Sequence, residues 1–248
     1  MKLDKEIIKK KLHIPLTIRL YDSIDSTNDE AKRRAEPDSG VTLYAATHQT
    51  AGRGRRGHRF YSPKGTGLYM TLSLPLSGAA DVQKITCAAA VAVCEAITAL
   101  SDHRPRIKWV NDILVNGKKT AGVLTELITD CDNQPRAVIV GIGLNLCTEV
   151  FPEEFAATAG NLGDLDGSAL CGTIADNLIK YYHDLNNNSI IEKYKQLNCC
   201  IGRVVRFTQN GAEHTATAVD IDAGGGLVVE ENGARTTLNS GEISIIPL

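Results

Sequence analysis

Two apolar runs, IKWVNDILV (107–115) and TAGVLTELIT (120–129), flank the dipeptide Asn116-Gly117. Asn-Gly between two such runs is a strong short-range hairpin signal, because a two-residue turn there needs positive φ at both positions. This is the strongest local constraint in the chain. It requires neighbouring antiparallel strands, and other strand-like segments surround it. TIRLYDSI (17–24), VTLYAATHQT (41–50), GLYMTLSLPL (67–76) and RAVIVGIGLNL (136–146) each read as strands. Between them, DVQKITCAAAVAVCEAITAL (81–100) is Ala-rich and free of Gly and Pro, which predicts a buried helix. Ser26 or Thr27 N-caps a short helix through DEAKRRAE, and helical patterns follow at 168–186 and 189–198.

The character changes at Ile201-Gly202. From there to the end, about five short strands are separated by two Asn-Gly pairs and a Gly-Gly-Gly. The reading is an α+β domain over residues 1–200 followed by a compact β-barrel over 201–248. A length of 248 residues, with 43% hydrophobic and 23% charged, suits a protein with a full core. The net charge of −2 gives no global attraction to nucleic acid or anionic lipid. No apolar run is read as reaching the roughly 18 residues of a membrane span. The start, MKLDKEIIKKKLH, has no apolar signal core, so the expected location is cytoplasmic. Seven cysteines without a Cys-x-x-Cys, and six scattered histidines, predict neither a disulfide framework nor a zinc site. The adjacent Cys199-Cys200 is read as a pair of small, partly buried residues.

QTAGRGRRGHR (49–59) spells Gly-x-Gly-x-x-Gly at Gly52, Gly54 and Gly57. A dinucleotide-binding turn needs a strand before it and a helix after it. Here HRFYSPKGTG is a loop leading to another strand, so that reading fails. A Walker loop fails as well, since Gly117-Lys118 is followed by Lys119. Four arginines between 53 and 59 suit phosphate, yet no recognition helix or base-stacking motif accompanies them. Closely spaced glycines make ordering costly in backbone entropy. The stretch is therefore expected to be a lid that orders when an anion pairs with its arginines.

The lid belongs to a series. Asp25-Ser26-Thr27-Asn28, Gln49 to Gly57, Lys108-Trp109-Val110-Asn111-Asp112, Lys119-Thr120-Ala121-Gly122 and Gly141-Ile142-Gly143-Leu144-Asn145 occur in this order. The series resembles the biotin–protein ligase family, strongly over residues 20–148 and more weakly beyond. The resemblance implies a mixed-sheet catalytic domain akin to class II aminoacyl-tRNA synthetases, followed by an SH3-like barrel. It implies conversion of ATP and biotin to biotinyl-5′-AMP and pyrophosphate. Biotin would then pass to one lysine of a biotin carboxyl carrier protein domain, such as that of acetyl-CoA carboxylase. Val110 stands where the family usually has proline, and Phe60 where it usually has tryptophan. About 25 residues precede Ser26, so the expectation is a ligase without the DNA-binding repressor domain and without DNA as a partner. Family members pair through sheet edges, so a homodimer is compatible with the resemblance.

The resemblance also assigns roles. Lys119 would hold the biotin carboxylate, supplying the cation that lets two anions approach. Ser26, Thr27, Asn28 and Gln49 would line the biotin head group with mixed donors and acceptors. Arg53, Gly54 and Arg55 would close over biotin and the adenylate, with Arg55 joining Lys119 in catalysis. Asn111 and Asn145 would lie near the nucleotide. Trp109 would stack on adenine or belong to the core, and Asp112 would help hold Mg²⁺. Gly141 and Gly143 would let the backbone approach the ligand closely. Two other readings share some of these features: a lipoate–protein ligase, whose Arg-Arg-x-Ser-Gly-Gly-Gly stretch is absent, and a biotin sensor without catalysis.

Overall fold

The computed structural model describes residues 1–35, 40–76, 81–185, 187, 189–209, 211–241 and 243–246. In chain order the elements are α1 (Lys5–Lys10), β1 (Thr17–Tyr21), α2 (Thr27–Arg33), β2 (Thr42–Ala46), β3 (Gly67–Pro75), α3 (Val82–Leu100), β4 (Arg106–Lys108), β5 (Asp112–Val115), β6 (Lys118–Thr129), β7 (Pro135–Asn145), α4 (Glu153–Ala156), α5 (Gly167–His183), α6 (Ser189–Leu197), β8 (Val204–Gln209), β9 (Ala212–Ile221), β10 (Leu227–Glu231), β11 (Ala234–Leu238) and β12 (Ile243–Ile245). The first seven strands form one sheet in the order β1-β2-β3-β7-β6-β5-β4. Among the described residues β1 and β2 pair parallel and the other neighbouring strands antiparallel, so the sheet is mixed. Strands β8 to β12 form a second, antiparallel sheet in the order β11-β10-β9-β8-β12.

Strand alternation gives the large sheet two unlike faces. One carries Leu68, Met70, Leu72 and Leu74 of β3 and Val138, Val140, Ile142 and Leu144 of β7, all buried in the main core. Helix α3 packs here, against β6 and against α5 and α6. Cys87 to Cys94 of α3 are all buried, which an alanine-rich helix permits by letting neighbours approach all round. Contrary to the sequence expectation, α3 is long and apolar enough to cross a membrane by length and composition, but 61% of that stretch is buried inside the protein. The other face carries Thr71 of β3, Gly141 and Gly143 of β7, and Gly122 and Glu126 of β6, in paired register. Helix α2 covers part of this face around Ala31, Tyr44 and Ile139. The rest of the face is the floor of a cavity.

The Asn116-Gly117 hairpin forms as expected, with φ of 52° and 76°. The second such turn, Asn232-Gly233, joins β10 to β11 with φ of 51° and 79°. In the remaining Asn-Gly pair Asn210 lies outside the described residues, as does position 186 at the end of the first helical pattern. One run is not a single strand. IKWVNDILV reverses at Trp109-Val110-Asn111, so that Lys108 of β4 faces Asp112 of β5. The Trp109–Val110 peptide is cis. Distant groups hold the reversal: Trp109 N donates to Cys200 Sγ at 3.3 Å, and the Tyr194 hydroxyl donates to Val110 O at 2.8 Å. Cys200 thus has a structural role, and all seven cysteines are free thiols.

Candidate active site

A cavity of about 810 Å³ opens above the glycine-rich face of the sheet. Ser26, Thr27 and Asn28 enter it from the start of α2, where Ser26 Oγ caps the helix by accepting from Asp29 N at 3.3 Å. Ion pairs fasten this end of α2. Hydrogen bonds from Arg33 hold the Asp25 carboxyl down at about 2, and those from Arg34 and then Arg33 hold Glu30 at about 2. Gln49 faces Thr27, its Oε1 accepting from Thr27 N at 2.8 Å and its Nε2 donating to Ser62 Oγ at 3.2 Å.

Gly141 and Gly143 do leave room, but for protein side chains. A Cβ on Gly141 would lie 2.1 Å from Asn28 Oδ1, and one on Gly143 would lie 2.6 Å from the Phe60 ring. Asn28 and Phe60 occupy that space, and with Gly141 and Gly143 they form part of the cavity surface. Gly52 has the same function for the loop, since its Cβ would meet Phe60 O and Ser62 Oγ, each at 2.5 Å.

The glycine-arginine stretch is folded over this cavity. Phe60 N donates to Gly52 O at 3.0 Å and Gly54 N to His58 O at 2.7 Å, closing a small hairpin. Its tip is a 3₁₀ turn, Arg55–Gly57, with Arg56 and Gly57 at positive φ. Arg53 Nε donates to Asp29 Oδ2 at 2.7 Å. A terminal nitrogen of Arg55 donates to Asn111 Oδ1 and to Gly241 O, both at 3.2 Å. Both arginines thus have protein partners.

Lys119 rises from the start of β6 with Nζ 2.6 Å from Asp112 Oδ1, and its side chain lies beside Gly122. Asn111 Nδ2 donates to Val123 O at 2.8 Å, fixing the 109–111 reversal against β6. Trp109 is 3% exposed and its indole Nε1 donates to Gly225 O at 3.0 Å, so it belongs to the seam with the second sheet while touching the cavity wall. Asn145 is brought elsewhere. It is absent from the cavity lining, and its Nδ2 donates to Gly160 O at 3.1 Å. The remaining expected residues share one cavity. Arg59, one of the four arginines read as suiting phosphate, is on its wall; sequence reasoning missed Lys108 and His58 there, and Arg206, Thr208 and Glu213 from the second sheet. It also missed Thr71 and Glu126 beneath it, whose place depends on strand register. The Lys-Trp-x-Asn-Asp context was a usable signal for Lys108; nothing local marked the others.

Among the described residues no group of three or more His, Cys, Asp or Glu is clustered to hold a metal ion. Asp112 and Glu213 are the carboxylates on the cavity lining. One carboxylate fits Mg²⁺ only where substrate phosphates and water supply the other ligands.

The sequence and the fold both match known proteins. Residues 20–145 match the biotin/lipoate A/B protein ligase family, and residues 200–245 match the biotin protein ligase C-terminal domain. The chain belongs to this family. Over 236 residues it is 33% identical to the bifunctional ligase/repressor BirA of Bacillus spizizenii, covering 90% of this chain and 72% of that protein. Over 124 residues it is 40% identical to the biotin–[acetyl-CoA-carboxylase] ligase of Paracoccus denitrificans, covering 49% of this chain and 51% of that one. Among solved structures, the biotin protein ligase of Aquifex aeolicus in complex with biotin and ATP superposes with a TM-score of 0.78 at 26% identity. That match covers 93% of this chain and 98% of the Aquifex one.

Proposed function

We propose that this chain is an ATP-dependent biotin–protein ligase that forms biotinyl-5′-AMP and passes biotin to a lysine of a biotin carboxyl carrier domain. The observation that carries the proposal is the placement of Lys119. Its ammonium stands beside Gly122 on the cavity floor, in the same cavity as the polar start of α2 and the arginine loop. In the first step a biotin carboxylate oxygen attacks the α-phosphorus of ATP and pyrophosphate leaves. Both partners are anionic, and a cation about 4 Å away offsets about 4 kcal/mol of their repulsion at an effective dielectric of 20. Lys119 supplies that cation when it exchanges Asp112 for the substrate carboxylate. Ser26, Thr27, Asn28 and Gln49 take the head group; Arg53, Gly54, Arg55 and Asn111 face the adenylate. Mg²⁺ would arrive on the ATP phosphates, with Asp112 as its nearest carboxylate in this scheme. In the second step a carrier lysine amine attacks the acyl carbon, AMP leaves, and the amine proton is lost to solvent.

The match of residues 200–245 to the biotin protein ligase C-terminal domain supports biotin over lipoate as the acyl group. The test uses radiolabelled biotin, ATP and Mg²⁺, with and without a biotin carrier domain. Adenylate formation without the carrier, and label on the carrier when it is added, are expected. Biotin binding without adenylate would leave a sensor, and lipoate activation instead of biotin would reassign the substrate.

A further inference from the structure

Four oxygens stand in line between α2, β3 and the loop after β2. The distances are 3.0 Å from Gln49 Oε1 to Thr27 Oγ1, 2.8 Å from Thr27 Oγ1 to Thr71 Oγ1, and 2.7 Å from Thr71 Oγ1 to Asn28 Oδ1. Two of the four are hydroxyls and two are amide carbonyls, so two hydrogens must serve three contacts. Turning either amide around would add the missing donor, but both are locked. Gln49 Oε1 already accepts the backbone N–H of Thr27, and its Nε2 donates to Ser62 Oγ, whose hydroxyl donates to Phe60 O. At the other end, Asn28 Nδ2 donates to Glu126 Oε2 at 2.8 Å. The second carboxylate oxygen of Glu126 accepts from Lys32 Nζ at 2.6 Å. A carboxylate in an ion pair only accepts, so flipping Asn28 would set its oxygen against a charged oxygen.

The line is therefore short by one hydrogen. Thr71 is fully buried, and Thr27 and Asn28 are nearly so but line the cavity, so a further donor reaches the line only from the cavity side. Gln49 lines the cavity as well. We propose that Glu126, which does not line the cavity, is a positioning residue. By fixing the amide of Asn28 it makes this end of the pocket rich in acceptors, and the pocket selects a ligand that brings N–H donors. The proposal rests on the biotin reading above, since a cyclic urea offers two N–H groups at nearly constant size and a cyclic carbamate only one.

The experiment compares binding of biotin with that of its two cyclic carbamate analogues, each having one ureido N–H replaced by oxygen. Calorimetry is run on the full chain and on Glu126→Gln, Glu126→Asp and Lys32→Met. In the parent at least one analogue should bind about tenfold or more weakly than biotin, the usual effect of facing a buried acceptor with another acceptor. Glu126→Gln can donate to Asn28, letting that amide turn and complete the line, so the ratio should collapse towards one. Glu126→Asp and Lys32→Met retain a carboxylate acceptor and should keep the ratio. An unchanged ratio in folded Glu126→Gln overturns the proposal, as does an equal loss in Lys32→Met, which would reduce Glu126 to an anchor for α2. A parent that binds biotin yet accepts both carbamates equally sinks this proposal alone. A parent that binds no biotin removes the functional reading and this proposal with it.

Discussion

Replacing Gly141 by alanine tests whether the site is built on the glycine face of β7. The added Cβ would lie 2.1 Å from Asn28 Oδ1 and 2.7 Å from both Cγ and Nδ2 of the same amide. Carbon and oxygen need more than 3 Å, so one of them must move. Gly141 is in a central strand, paired on both sides, and cannot withdraw. Asn28 must leave the position where it meets Thr71 at 2.7 Å and donates to Glu126 at 2.8 Å. The lost bond to Glu126 is charge-assisted and contributes about 1.5–3 kcal/mol, and the contact with Thr71 about 1 kcal/mol. The expected loss is thus about 2.5–4 kcal/mol, or roughly 5–15 °C in Tm for a chain of this size. Scanning calorimetry reads the shift, and biotin affinity should fall with it. A double-mutant cycle isolates the cause. With Asn28→Ala already present the alanine at 141 has space, so the double variant should be no less stable than Asn28→Ala alone. A Gly141→Ala protein melting within about 1 °C of the parent, or additive losses in the cycle, would refute the reasoning.

Three other outcomes are expected. Lys119→Met should retain the parent Tm within a few degrees, because the side chain is 38% exposed, yet form no detectable biotinyl-AMP from radiolabelled biotin and ATP; near-normal adenylation would take Lys119 out of the mechanism. Arg55→Gly should still activate biotin but release the adenylate about 10- to 100-fold faster in a filter-retention assay, matching one charge-assisted contact of about 1.5–3 kcal/mol; parent-like retention would leave the loop without a closing role. The Glu30 carboxyl titrates at about 2 in the folded protein against 4.5 as its ordinary value, so its stabilisation is complete above about pH 4.5 and is lost as the pH falls towards 2. Glu30→Gln should flatten Tm against pH across that window, and a slope identical to the parent's would show that the ion pairs with Arg34 and Arg33 contribute nothing.

The parts of the fold that were legible in the sequence are those determined by neighbours along the chain. Asn116-Gly117 makes its turn because both residues adopt positive φ locally, and Ser26 caps α2 because its own hydroxyl reaches three residues ahead. The reversal at Trp109-Val110-Asn111 was read as strand, since it depends on Cys200, Tyr194 and Gly225, more than 80 residues away. Gly141 and Gly143 stood out, but their neighbours did not. Whether a glycine makes room for a ligand or for Asn28 depends on which strand lies alongside and in which register. Asn145 differs: its motif is present, but its amide donates to Gly160 O and the residue is not among those lining the cavity. The six-residue α1 escaped notice because it has too few turns to show a period; Asp4 caps it and it packs on α5.

The shift in composition near residue 200 suggests an appended barrel, but the second sheet also forms part of the cavity. Arg206, Thr208 and Glu213 of β8 and β9 line it, and Gly241 O accepts from the same Arg55 that reaches Asn111. Trp109 crosses the seam to Gly225, where a side chain would collide with Cys87 of α3, the nearest atom being 2.6 Å away. The glycine run in the β segment therefore has a use beyond turning the chain, since it lets the second sheet lie close against α3. The arginine loop closes on groups from both sheets. Any change that parts them would loosen Arg55 and open the cavity wall, so the chemistry proposed for residues before 200 would depend on backbone carbonyls well beyond it.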